Sequence, residues 1–357
     1  MSYQQLLQKC LGNNVLYTAM FELTYRCNLD CFFCYNDRGL QGKLLSLQDY
    51  IRVFDDLIAL GTMNITLTGG EPLAHPQFFD IGVAARQRGF TIKIKSNGHA
   101  LRGGLLGRIK EELDPLLIET SLHGACAESH DKQTRVPGSF DRLLENLKQV
   151  RSMGIRIQVN SSLTRWNEGE IEKMYALTDE MGLAHNFSPE VTPRDDGDKT
   201  PLDIAPSEAS VFKLLDIQAK RARNQRLERA DVVPTFTGED KIKGVKDSGK
   251  QCGAGSVGIA VDPIGNVYPC IQWRRSMGNL HQQSIKEIWT ESAMVKEIRD
   301  LTIQAKSKNR KYGEPGKRMA YCAAMAEITT GDPLRIYPLA KLRLAHGQKL
   351  AESGSLP

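Results

Sequence analysis

A parallel α/β fold, a partial (β/α)6 TIM-like barrel carrying a smaller C-terminal α+β domain, is what this sequence predicts, on three observations. Six short apolar segments recur through the first two hundred residues, and helical patterns separate them. A polar cluster, Pro193-Arg194-Asp195-Asp196-Gly197-Asp198, then ends that alternation. Beyond it lies a hairpin pattern with a cysteine near each end, a unit of a different kind.

The apolar segments read as buried parallel strands at Met20 to Thr24, Asn64 to Thr68, Thr91 to Lys95, Leu116 to Ser121, Ile155 to Ser162 and Ala184 to Ser188. The helix after the first is typical of those between them. Ser46 caps it, Leu47, Tyr50, Ile51, Phe54, Leu57 and Ile58 fall on one stripe, and Gly61 is placed to end it. Right-handed crossovers joining such units give a partly closed parallel barrel, whose chemistry belongs at the carboxyl ends of the strands. From Pro206 to about Arg229 a charged helix reads as a bridge, and Ile259 to Pro269, turning at Asp262-Pro263-Ile264-Gly265-Asn266, reads as a β-hairpin. The expected division is an N-terminal segment 1–17, the barrel 18–200, a bridge 201–245, a second domain 246–340 and a tail 341–357.

Composition narrows the function. With 41% hydrophobic and 25% charged residues the chain has an ordinary globular balance, and no apolar run approaches membrane-spanning length. The first ten residues lack the basic start and apolar core of a signal peptide, so a cytoplasmic location is expected. A formal charge of +5 over 357 residues gives no electrostatic footprint for nucleic acid. The two basic runs, Lys220 to Arg229 and Lys306 to Arg318, read as solvated faces. Eight cysteines in a cytosolic chain point to metal or redox chemistry before disulfides.

Three of those cysteines, Cys27, Cys31 and Cys34, form a C-x3-C-x2-C run. Three thiolates in one loop leave one iron of a cubane cluster open to a reacting molecule. A zinc site is the alternative, but zinc wants four donors, usually in two pairs, and no second pair lies nearby. One strand later the apolar segment Asn64 to Thr68 ends in Gly69-Gly70-Glu71-Pro72.

The two motifs, in this order and at strand ends, resemble the radical S-adenosylmethionine (SAM) superfamily. The resemblance implies that Cys27, Cys31 and Cys34 ligate a [4Fe-4S] cluster whose open iron chelates SAM, and that a 5′-deoxyadenosyl radical then takes hydrogen from a substrate. It places Phe33 near the adenine, a role compatible with packing. It places Gly69, Gly70 and Glu71 at the methionine ammonium, and Ser96 and Asn97, in Lys95-Ser96-Asn97-Gly98, at the ribose. Asn97 as a plain turn former is the alternative reading. Ser121 and Ser162 end the next two strands and face the cofactor in the same scheme, although serine is common at strand ends. His123 reads as packing before proton handling, and Cys126 as a small buried filler. An external electron donor such as flavodoxin or ferredoxin is implied as well.

The region after the bridge resembles the auxiliary-cluster domain called SPASM, or its shortened form called twitch. The likeness rests on Cys252, on Gly265 with twelve residues between the two, on Cys270, on Gly278-Asn279-Leu280 and on Cys322. It implies a second, auxiliary [4Fe-4S] cluster on Cys252, Cys270 and Cys322. The family's later cysteine run is reduced to Cys322, with Arg318, Tyr312 and Asn309 where its other members would fall, so a third cluster is not expected. A domain that holds nothing, its cysteines in the core, is the alternative. The relatives implied mostly modify ribosomally made peptides, which is the first expectation for function. The second is a dehydrogenase, epimerase or decarboxylase of a sugar nucleotide or other small metabolite. Ile271 stands after Cys270, where the sulfatase-maturing subfamily places an acidic residue. Twenty-six residues precede Cys27, too few for a winged-helix module, so a leader-peptide-binding partner is expected as a separate chain.

Overall fold

Each barrel strand alternates a face turned to packed helices with a face of polar side chains, the period-2 signature of a sheet whose two sides meet different environments. A computed structural model of the chain describes residues 2–37, 39–228 and 247–353. The strands are β1 (Thr18–Glu22), β2 (Asn64–Thr68), β3 (Thr91–Lys95), β4 (Leu117–Ser121), β5 (Ile157–Ser162), β6 (Ala184–Ser188), β7 (Gly258–Val261), β8 (Asn266–Tyr268) and β9 (Gly278–Asn279). They form one open sheet in the order β6-β5-β4-β3-β2-β1-β7-β8-β9. β1 to β6 pair in parallel, in sequence order, as six successive strand and helix units require.

Local chemistry explains the elements. Ser46 caps the helix Leu47–Ala59 in a reciprocal box with Asp49, and Gly61, at φ +84°, follows its end. Its buried face carries Tyr50, Val53, Phe54 and Leu57, with Tyr50 and Phe54 edge-on to Phe21 of β1 at 5.8 and 5.5 Å. Ile58, expected on that stripe, is 47% exposed, because Val53 takes the inward position. β1 begins and ends two residues before the expected strand. Beyond Glu22 the chain still pairs with the end of β2 and the turn after it: Leu23 N–H donates to Thr68 O, and Gly70 N–H to Thr24 O.

The hairpin β7–β8 is where the sequence placed it. Asp262 builds its turn, accepting the N–H groups of Ile264 and Asn266 at 3.0 and 2.9 Å, and Gly265 sits at φ +85°. β7 also pairs in parallel with β1, in register Thr18 with Gly258. The hairpin therefore extends the barrel sheet.

The chain divides into two units. One comprises Leu16–Pro206 and Gly258–Ser292 and holds the nine strands of the described residues. The other comprises Met1–Val15, Ser207–Val257 and Ala293–Pro357; its described residues are largely helical, with Tyr3–Asn13, Glu208–Glu228, Ala293–Arg310, Ala323–Thr330 and Pro338–Glu352. Inside this unit Lys250 reaches the end of the first helix, bonding Leu11 O at 2.8 Å, and His346 bonds Asp216 at 2.8 Å. Lys306 and Arg310, from the second basic run, both pair with Asp247 at 2.6 Å. Part of the expected bridge, 229–246, and residues 354–357 of the tail lie outside the described residues. No helix among the described residues is long and apolar enough to cross a membrane.

Candidate active site

At the carboxyl ends of the barrel strands lies a cavity of about 430 Å³, a size typical of small-molecule sites. Cys27, Cys31 and Cys34 line one side of it, with Phe33, Gly69, Gly70, Ser96, Asn97, Ser121 and Ser162 around them.

The cysteine loop is held by backbone pairing on two sides. Asp30 and Phe32 donate their N–H groups to Thr134 O and Gln133 O at 3.1 and 3.0 Å. On the other side Gly70 and Glu71 donate to Thr24 O and Arg26 O at 2.6 and 2.9 Å. That approach explains both glycines. A Cβ on Gly69, which sits at φ +141°, would lie 2.3 Å from Thr24 O, and one on Gly70 would lie 2.5 Å from Arg26 O. The Gly-Gly pair thus lets the turn after β2 lie directly on the segment leading from β1 to Cys27.

Glu71 is 2% exposed and does not line the cavity. Its carboxylate accepts Leu73 N–H at 3.1 Å, Ser96 Oγ–H at 2.9 Å and Asn97 N–H at 2.8 Å. Burial pushes its carboxyl up to about 7, against these three donors. Asn97 in turn donates through Nδ2 to Asn28 Oδ1 at 2.7 Å, inside the cysteine loop. Phe33 meets the His123 ring edge-on at 4.6 Å. His123 is buried, and burial holds its imidazole well below the usual histidine range, hence neutral. Cys126, expected as a buried filler, is exposed, because it sits at the start of the helix Ala127–Thr134.

Several lining groups were not among the expected site residues. Lys95, Glu119, Asn160, Asn186 and Ser188 point into the cavity from β3 to β6. Lys95 Nζ pairs with Glu119 at 3.1 Å, and Asn160 Nδ2 donates to the same carboxylate at 2.9 Å. Their signal was present as alternation: Lys95 follows Ile94, Glu119 lies between Ile118 and Thr120, and Asn160 follows Val159. Reading the strands as uniformly buried hid it.

The donor set fits the implied groups. Three thiols lie beside hydroxyl, amide and aromatic groups in one cavity, which suits a cluster with an open corner and a polar, adenine-bearing ligand. Among the described residues no three His, Cys, Asp or Glu side chains close on a single ion, whereas a cubane takes each thiolate at a different corner. Cys252 and Cys322 belong to the helical unit, Cys322 preceding the helix Ala323–Thr330, and Cys270 belongs to the barrel unit.

Comparison with known families matches residues 21–178 to the radical SAM superfamily and residues 252–322 to the SPASM iron-sulfur cluster-binding domain. The chain is a radical SAM enzyme with a SPASM domain. These domains imply a [4Fe-4S] cluster with SAM, and an auxiliary iron–sulfur cluster. The second match begins at Cys252 and ends at Cys322. Among curated relatives, the AdoMet-dependent heme synthase of Methanosarcina barkeri is 26% identical, covering 89% of this chain and 94% of its own. The PqqA peptide cyclase of Ruegeria pomeroyi is 27% identical, covering 89% and 85%. The mycofactocin maturase MftC of Mycobacterium tuberculosis is 27% identical, covering 78% and 72%. The solved structure of anSMEcpe with bound AdoMet and the Cp18Cys peptide shares the fold, at TM-score 0.74 and 16% identity over 95% of this chain and 97% of that one.

Proposed function

We propose that this radical SAM enzyme modifies a ribosomally made peptide. The observation that carries the reading is the likeness to PqqA peptide cyclase, which runs through 89% of this chain and so includes both domains. The amide and hydroxyl groups of Asn160, Asn186 and Ser188 give the cavity floor donors and acceptors suited to a peptide backbone.

In this reading Cys27, Cys31 and Cys34 hold the [4Fe-4S] cluster, and Phe33, Gly69, Gly70, Ser96, Asn97, Ser121 and Ser162 contact SAM. When bound and reduced, that pair of groups supplies the radical that takes hydrogen from substrate. The chain's own residues orient and enclose: Glu71 holds Ser96 and Asn97 in place, and the packed barrel keeps water from the reacting centre. Cys252, Cys270 and Cys322 hold the auxiliary cluster, within a functional module at 246–340 that follows the barrel module 18–200. An electron donor such as flavodoxin or ferredoxin, a separate leader-binding chain and a cytoplasmic setting complete the proposal.

A second reading, a sugar nucleotide or other small metabolite as substrate, is favoured by the heme synthase match over 94% of that protein. Anaerobic incubation of the reconstituted enzyme with a candidate precursor peptide, followed by mass spectrometry, separates the two. A mass change on the peptide supports the first; 5′-deoxyadenosine formed only with the small metabolite overturns it.

A further inference from the structure

A buried charged group adjoins the cysteine loop, and the site's chemistry does not use it. Glu22, fully buried at the end of β1, accepts both arms of the Arg274 guanidinium, Nη1 to Oε2 at 2.8 Å and Nη2 to Oε1 at 3.0 Å. Arg274 Nη2 also pairs with Asp195 at 2.8 Å. The Glu22 carboxylate further accepts the hydroxyls of Tyr25 at 3.0 Å and Tyr35 at 3.3 Å. Asp195 N–H donates to Tyr35 O at 2.8 Å, and the guanidinium lies 5.7 Å from the Tyr35 ring centre.

Tyr25 and Tyr35 bracket the motif, one two residues before Cys27 and the other directly after Cys34. Both ends of the loop are therefore fastened to one ion-paired group. A bidentate arginine fork supplies this geometry, and a lysine point charge does not. The potential of an iron–sulfur cluster responds to nearby charge as well as to burial.

We propose that Arg274 is a positioning residue for the cysteine loop, and that the Glu22–Arg274–Asp195 group sets the field in which the cluster takes up its electron. The inference rests on the assignment of that cluster to Cys27, Cys31 and Cys34. Loss of the Arg274 charge leaves two carboxylates uncompensated, which disfavours an added electron. Loss of the Glu22 charge has the opposite sign.

The test uses the full chain, reconstituted anaerobically, as parent, Arg274→Gln, Arg274→Lys and Glu22→Gln. The readouts are iron and sulfide content and a redox titration followed by electron paramagnetic resonance, on the signal that changes when SAM is added. The expected result is a more negative potential in Arg274→Gln, a more positive one in Glu22→Gln, and in Arg274→Lys a potential near the parent with lower iron retention. A group that only supports the fold moves both potentials the same way or neither, and either result overturns the inference. If Arg274→Gln fails to fold, an upward shift in Glu22→Gln supports the inference and its absence overturns it. A parent that takes up no cluster on this loop overturns the cluster assignment itself.

Discussion

Glu71 accepts the backbone N–H of Asn97 at 2.8 Å, so one buried carboxylate fixes the end of β2 to the end of β3. The same carboxylate takes the hydroxyl of Ser96, and Asn97 reaches on to Asn28 in the cysteine loop. Three segments of the site share this connection.

Glu71→Ala leaves the donors of Leu73, Ser96 and Asn97 without their acceptor. An unsatisfied buried donor costs about 1–3 kcal/mol, so a loss of at least that size is expected. SAM affinity should fall about tenfold or more as Asn97 and Gly70 shift, although the carboxylate itself does not line the cavity. Urea denaturation and calorimetry check the two effects, and unchanged values in both would remove Glu71 from this role.

Gly70→Ala should damage cluster retention without touching a ligand. Its Cβ would stand 2.5 Å from Arg26 O and 2.7 Å from Tyr25 O, both backbone atoms that cannot swing aside. Relief requires the turn or the cysteine loop to move, a strain of about 1–3 kcal/mol. Iron per chain after reconstitution is the measurement, and a parent-like value would contradict the prediction.

Iron counting also tests the second cluster. With Cys27, Cys31 and Cys34 all changed to alanine, SAM cleavage should be lost while about four irons remain, bound through Cys252, Cys270 and Cys322. Cleavage to 5′-deoxyadenosine by that triple variant would refute the barrel site. Absence of iron would mean that the C-terminal cysteines are structural.

Stability should fall with acid through the buried histidines. Burial lowers His130 from 6.5 to about 4, and holds His123 well below 6.5. Between those values the unfolded chain binds protons that the folded chain refuses. The stability these neutral rings contribute is thus complete above pH 6.5 and is lost as pH falls towards 4. His130 Nδ1 accepts the His123 N–H at 3.1 Å, so His130→Gln, which keeps an acceptor, should flatten this slope in urea midpoints taken across that range. An unchanged slope would assign the acid sensitivity elsewhere.

The sequence by itself determined what local chemistry encodes. β2, β3 and β6 begin and end where the apolar segments do, Ser46 caps its helix, and Asp262 with Gly265 makes the hairpin turn. The cysteine spacing and Gly-Gly-Glu-Pro identified the family for the same reason, since both motifs are short and contiguous. Only the tertiary structure decided which strand faces line the cavity, that Gly69 and Gly70 serve the approach of the cysteine loop, and that β7 joins the barrel sheet beside β1. Glu22 and Arg274 are 252 residues apart, and Glu71 and Asn97 are 26 apart. Helix and strand periods report only which residues share a face within one element. Contacts between such distant residues leave no period in the sequence, and they arise when the packed sheet brings strand ends together.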